Sequence, residues 1–207
     1  MKAAVSTSIL TYLTILLFCS SGNGQSYEVM FGHEHLFVDA QYLKFFDATK
    51  KVSLFSRTRA TSTYEGDQTD LFTAAYINYT SSSGFGPSLI GRISSFSSGI
   101  DAGVHYFKAR KNWMVFALPS IHLNDDLLYS WFSLCRITPH LKGDWYLYIS
   151  LELFSAFNSE GYINHVQRLR LGPQKGDFQF GVAANLQQSP FIDNFNNLGG
   201  FIRVQFK

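Results

Sequence analysis

Ser155, Asn158 and His165 flank one hairpin-forming stretch, and a hydroxyl, an amide and an imidazole brought together are the parts of a nucleophilic hydrolase. A serine hydroxyl attacks poorly unless a neighbouring base takes its proton, so the chemistry depends on which way each side chain points. Asn164-His165 points the wrong way for a convincing pair with Ser155, and catalysis is therefore the less expected use of these residues. His33-Glu34-His35 puts two imidazoles on one side of a strand, a spacing that supplies two metal ligands. Two ligands do not make a site, and Asp39 or a loop residue would have to complete it. A polar cluster at the periplasmic rim is the expected reading, and no metal is assigned. His105 and His122 stand on separate segments and read as hydrogen-bonded structural residues.

These residues need elements to hold them, and the elements are strands. Apolar positions recur at period two: Trp145, Leu147, Ile149, Leu151 and Leu153 alternate with Tyr146, Tyr148, Ser150, Glu152 and Phe154. The same division runs through Ile100–Phe107 and Asp177–Leu186. Assigning the mixed face to an interior places Lys51, Arg57, Arg59, Arg92, Arg136, Arg168, Arg170 and Arg203 inside, with Asp39, Asp101, Glu152 and Asp177. Unpaired charges in such a space cost several kcal/mol, so the expectation is a salt-bridge network; a hydrated, arginine-lined lumen would instead favour anions. Tyr76, Tyr146, Tyr148, Phe55, Phe107 and Phe154 share that face and favour packing over passage. The assignment sends His165 and Gln167 outward, either to the membrane edge or through a bulge that shifts the phase.

The chain carries 20 Phe, 11 Tyr and 3 Trp with only 15% charged residues. Met1-Lys2, an apolar run from Ile9 to Phe18 and the small polar stretch Ser20–Gly24 read as a signal peptide over residues 1–24, cut near Gly24. Phe18 before Cys19 argues against a lipoprotein, and Cys135 is then the single thiol of the mature chain. No later segment is long and apolar enough for a membrane helix, so any span is made by strands. Turn-forming clusters follow every 10 to 16 residues or so, from Asp47-Ala48-Thr49 to Asn196-Asn197. They divide residues 25–207 into about eleven segments near the ~9–11 residues that cross a bilayer in a barrel. An even count is expected, so twelve strands are favoured, with an extra strand at Tyr27–Gly32 or a division of the segment after it; ten is the alternative. The fold read here is an all-β, antiparallel, up-and-down transmembrane barrel in one domain. A soluble sandwich is the competing fold, disfavoured by strand length and by Trp113, Tyr129, Trp131 and Trp145 near strand ends.

From Trp145 onward, Glu152, the run Arg168-Leu169-Arg170-Leu171-Gly172, a last alternating strand and the terminal Phe201 to Phe206 spacing resemble a group of small uncharacterised outer-membrane β-barrels of Gram-negative bacteria. Ala74–Tyr79 and Gly91–Ser94 have the same look. The resemblance implies the fold and the outer membrane as location, and no activity. Phe201, Val204 and Phe206 resemble the signal read by the barrel-assembly machinery, with Lys207 departing from its commonest form. Local residues lack the His-x-Ser spacing, followed by Asn on the next strand, of outer-membrane phospholipases. The functional expectation is a structural or accessory barrel with a basic, aromatic-rich, packed lumen. A small anion-favouring channel and a lipid-modifying enzyme are the alternatives. Expected partners are outer-membrane lipids, the assembly machinery and a larger envelope complex. From Gln25 onward sixteen basic residues meet fifteen acidic ones, a net +1 that offers no nucleic-acid surface, and no cofactor motif is present.

Overall fold

The structure is a computed structural model that describes residues 24–95, 97–123, 128–191 and 194–206. The signal-peptide assignment (apart from Gly24), Lys207 and the Asn124-Asp125 turn lie outside the described residues.

Thirteen strands follow one another: β1 (Gln25–Gly32), β2 (His35–Phe45), β3 (Val52–Thr63), β4 (Thr69–Tyr79), β5 (Phe85–Ser94), β6 (Ser98–Arg110), β7 (Trp113–His122), β8 (Tyr129–Ile137), β9 (His140–Lys142), β10 (Trp145–Asn158), β11 (Gly161–Lys175), β12 (Phe178–Gln188) and β13 (Phe195–Phe206). Every pairing is antiparallel between chain neighbours, except that three-residue β9 lies beside β10 as an appendage and β8 pairs directly with β10. The last strand returns to the first, from Gln25 opposite Phe206 to Gly32 opposite Gly199, so twelve strands form a ring with no open edge. The extra strand expected at Tyr27–Gly32 is β1. Closure excludes the sandwich, whose two sheets keep edges. The turn read at Asn196-Asn197 falls inside β13, and the connection lies before it.

Ring closure turns the period-two pattern into an inside and an outside. Ile100, Val104, Phe178, Val182, Leu151 and Ile202 stand exposed on the outer wall, while Asp101, His105, Gln179, Asn185, Glu152 and Arg203 between them are buried. A wall of large exposed aliphatic and aromatic side chains is unfavourable in water and suits hydrocarbon. Tyr27 meets Phe206 edge-on at 5.9 Å between ring centroids, an aromatic contact across the seam between first and last strands.

The interior is filled by two apolar clusters on opposite sides. Ala74, Tyr76, Ile90, Leu118, Phe132 and Leu134 make one, with Phe55 and Phe154 against it. Met30, Phe37, Tyr148, Ala183 and Phe201 make the other. Charged residues lie between them.

Candidate functional site: two faces of the β10–β11 hairpin

Strands β10 and β11 pair in unbroken register from Trp145↔Lys175 to Ala156↔Asn164 and present different chemistry on their two faces. Inward go Glu152, Arg168 and Arg170. Outward go Ser155, His165 and Gln167.

On the inner face, Glu152 receives Arg57 at 2.5 Å, Arg59 at 2.5 Å and Arg168 at 2.7 Å. Arg57 also grips Asp39 through Nε at 2.8 Å, with its Nη2 at 2.5 Å. Around a twelve-strand ring, β3 and β10 are six places apart in either direction, so the Arg57–Glu152 pair joins opposite walls. Twelve strands about 4.8 Å apart and tilted about 40° would make a circular barrel roughly 24 Å across. An extended arginine and glutamate do not span that distance, so the wall is drawn in along this line and the section is flattened.

A second group joins Arg170 to Glu28 at 2.7 Å and Arg203 to Glu28 at 3.5 Å, with Arg203 also donating to Ser26 at 2.7 Å. A third joins Arg92 to Asp101 at 2.8 Å, with His122 Nδ1 2.6 Å from the same carboxylate. Arg136 lies over the Tyr148 ring at 5.6 Å. A cavity of about 20 Å³, the room of one water molecule, remains between Glu28, Gln41, Arg57, Arg136, Tyr148 and Arg203.

Of the interior residues read from the sequence, Arg57, Arg59, Arg92, Asp101, Arg136, Glu152, Arg168, Arg170 and Arg203 lie inside, in these groups. Asp177 is half-buried in the Gly176-Asp177 turn, where its carbonyl accepts from Gln205 N, because β11 runs on to Lys175. Lys51 is exposed just before β3. Glu28 was missed, since β1 was too short a stretch to show its phase, and it is the counter-charge of two arginines. The assembly triplet is divided between the two faces of β13. Phe201 stands five residues from Phe206, so the two face opposite sides; Phe201 is buried in the core while Val204 and Phe206 take the outer wall.

His33 and His35 flank the β1–β2 connection, which lies at the barrel end away from Gln25 and Phe206 rather than on the rim that holds them. Asn197 fixes that hairpin from within, its Nδ2 donating to the His35 carbonyl at 2.9 Å. A Cβ on Gly32 would meet Asn197 Oδ1 at 1.9 Å, so glycine is needed there. Asp39, the residue that would have completed a metal site, is committed to Arg57. Among the described residues no three metal-ligating side chains converge. His105 bonds Thr80 and Ser88, at 2.8 Å each.

On the outer face, Ser155 Oγ lies 2.7 Å from His165 Nδ1, and the Gln167 side-chain nitrogen Nε2 lies 2.9 Å from His165 Nε2, to which it donates. The register places Ser155 directly opposite His165, and Gln167 follows two residues on along the same face. Of the two alternatives read for this strand, the phase-shifting bulge is not the one found. The residues stand near a barrel end, and a bulge at Ile163 does occur, but between His165 and the turn, where it leaves the phase of His165–Arg170 intact. Ser189 donates to the Ile163 carbonyl at 2.8 Å and Tyr162 to the Gln188 carbonyl at 2.6 Å, which fixes the bulge against β12. Asn158 is not the amide partner: its Oδ1 accepts from the backbone of Glu160 and Gly161 in the turn. Gln167 takes that place, two residues from His165 on the same face of β11.

The class defined by this ring, with its apolar outside and ionic inside, is the outer-membrane β-barrel. No protein-family model matches the chain, and no curated protein matches it. Among solved structures it is similar to the KdgM porin, alone and in complex with disordered oligogalacturonate. In each case identity is 10% and the TM-score 0.53, over 89% of this chain and 99% of that one. LpxR from Salmonella typhimurium aligns at 10% identity and TM-score 0.47, over 89% of this chain and 100% of that one. At such identity the likeness is one of fold.

Proposed function

We propose that this protein is an exported outer-membrane barrel, its signal peptide removed near Gly24, whose lumen is shut by its own side chains and whose role is structural or accessory. The observation that carries this reading is the ion pair between opposite walls, Arg57 with Glu152, flanked by apolar clusters on both sides. A conducting pore needs a continuous water path, and the Arg57–Glu152 pair with its flanking apolar clusters stands across one. Lipids cover the wall, and Val204 and Phe206 serve the assembly machinery. Planar-bilayer recording of the purified chain tests the reading: no steady conductance is expected, and a stable, anion-selective current would overturn it.

Anion passage is the second reading, favoured by one observation. The interior groups hold seven arginines, Arg57, Arg59, Arg92, Arg136, Arg168, Arg170 and Arg203, against the carboxylates of Glu28, Asp39, Asp101 and Glu152. That excess would favour anions if the Arg57–Glu152 contact opened. Under this reading, Arg168→Glu with Arg170→Glu reverses the selectivity of a measurable current. Under the first, the wild type carries no steady current and the same double substitution destabilises the barrel.

A further inference from the structure

We propose that Ser155, His165 and Gln167 form a nucleophile, base and positioning residue that cleave acyl esters of membrane lipids at the outer wall. This rests on the reading above that the wall meets lipid. Polar side chains facing hydrocarbon are costly, and the Thr58–Thr73 pair on the outer wall shows the inexpensive form, two small hydroxyls 3.2 Å apart. An imidazole and a long amide are not small. Each of the three is half-buried, and they are joined in one chain of hydrogen bonds in the order hydrolytic chemistry needs: hydroxyl to imidazole to orienting group. Turned end for end, which changes neither its shape nor its reach, the Gln167 amide puts its oxygen in place of Nε2, holds the proton on His165 Nε2 and leaves Nδ1 free to accept the proton of Ser155.

The location suits an ester. Only Ala156, Phe157 and Asn158 separate Ser155 from the hairpin turn, roughly 10 Å along a strand. Trp131 lies opposite Ser155 on β8, and the Phe157 and Tyr162 rings meet nearby at a tilt of 60°, with centroids 6.2 Å apart. Aromatic side chains of this kind mark the membrane–water interface, where lipid ester linkages meet water. In the reaction, Ser155 Oγ bonds to the ester carbonyl carbon as its proton passes to His165 Nδ1. The tetrahedral adduct collapses with cleavage of the bond to the alcohol oxygen, which leaves with that proton. Water then attacks the acyl-serine, giving its proton to His165. The serine oxygen departs and regains a proton from the imidazole, and the products are a fatty acid and the deacylated lipid. Gln167 acts through His165 as a positioning residue.

The test uses the full chain in detergent, its folded state read from heat-modifiable gel mobility. It is incubated with phosphatidylethanolamine vesicles in one arm and lipopolysaccharide in the other, and released fatty acid is measured by mass spectrometry. A fluorophosphonate probe reports the active serine. Release in one arm, with label mapped to Ser155, is expected, and the arm identifies the lipid. Ser155→Ala and His165→Ala should each lower release ~10³-fold. Gln167→Leu should cost about tenfold, while Gln167→Glu restores activity and moves the acidic limb of the pH profile upward, because a carboxylate favours imidazolium. A folded barrel that releases no fatty acid in either arm and takes no label, or one unaffected by Ser155→Ala, overturns the site alone. A chain with no heat-modifiable form overturns the barrel reading and the site with it.

Discussion

The inner and outer faces of the β10–β11 hairpin are built from the same backbone, and their polar residues meet opposite conditions. Glu152 is buried and saturated by three guanidiniums drawn from β3 and β11. Ser155, His165 and Gln167, within fifteen residues of it in sequence, bond mainly to one another and leave the rest of the barrel undisturbed. Removing a member of the inner group strands charges that have nowhere to go, whereas removing a member of the outer group exchanges a polar atom for an apolar one beside lipid. The inner set therefore determines whether the barrel stands, and the outer set is free to serve chemistry.

That contrast is broken most severely by Glu152→Ala, which leaves Arg57, Arg59 and Arg168 without their shared counter-charge. Loss of one partner of a buried pair costs ~3–5 kcal/mol. The heat-modifiable band should fall sharply, or the surviving fraction should conduct anions in planar bilayers as the opposite walls part. Next comes Arg168→Glu with Arg170→Glu, which sets carboxylates against Glu152 and Glu28; urea titration of the folded band should show strong destabilisation. Phe206→Ala removes the outer aromatic of the seam with Tyr27, and lower outer-membrane yield with material left in the periplasm is expected on fractionation. Normal levels would show that this residue is not read during assembly. Ser155→Ala should sharpen the contrast from the other side, changing the unfolding free energy from urea titration by less than about 0.5 kcal/mol while abolishing fatty-acid release.

The smallest effect lies in a turn. The Thr49 hydroxyl, with the backbone N–H groups of Val52 and Lys51, holds the Asp47 carboxyl down at about 2. Because the folded value is depressed, this contribution is present above the ordinary carboxylate range and is lost as pH falls toward 2. Hydrogen exchange in the β2–β3 turn should accelerate over that window, and Asp47→Asn should flatten the response.

Much of this architecture follows from local pattern. Alternation at Trp145–Phe154 or Ile100–Phe107 needs only a period of two, so the side of the wall each residue takes was legible, as was the need for an even ring. Phase is not legible where a segment is short or where a turn absorbs a residue. For that reason Glu28 was missed.

By itself, then, the chain determined an alternating, aromatic-rich set of antiparallel strands with arginines turned inward. Only the tertiary structure decided who meets whom. Arg57 and Glu152 are 95 residues apart and meet because closure places β3 opposite β10. Ser155 meets His165 because the bulge at Ile163 sets the hairpin register. Both are products of pairing geometry accumulated around a ring, and a one-residue slip would send either residue to the other side of the wall.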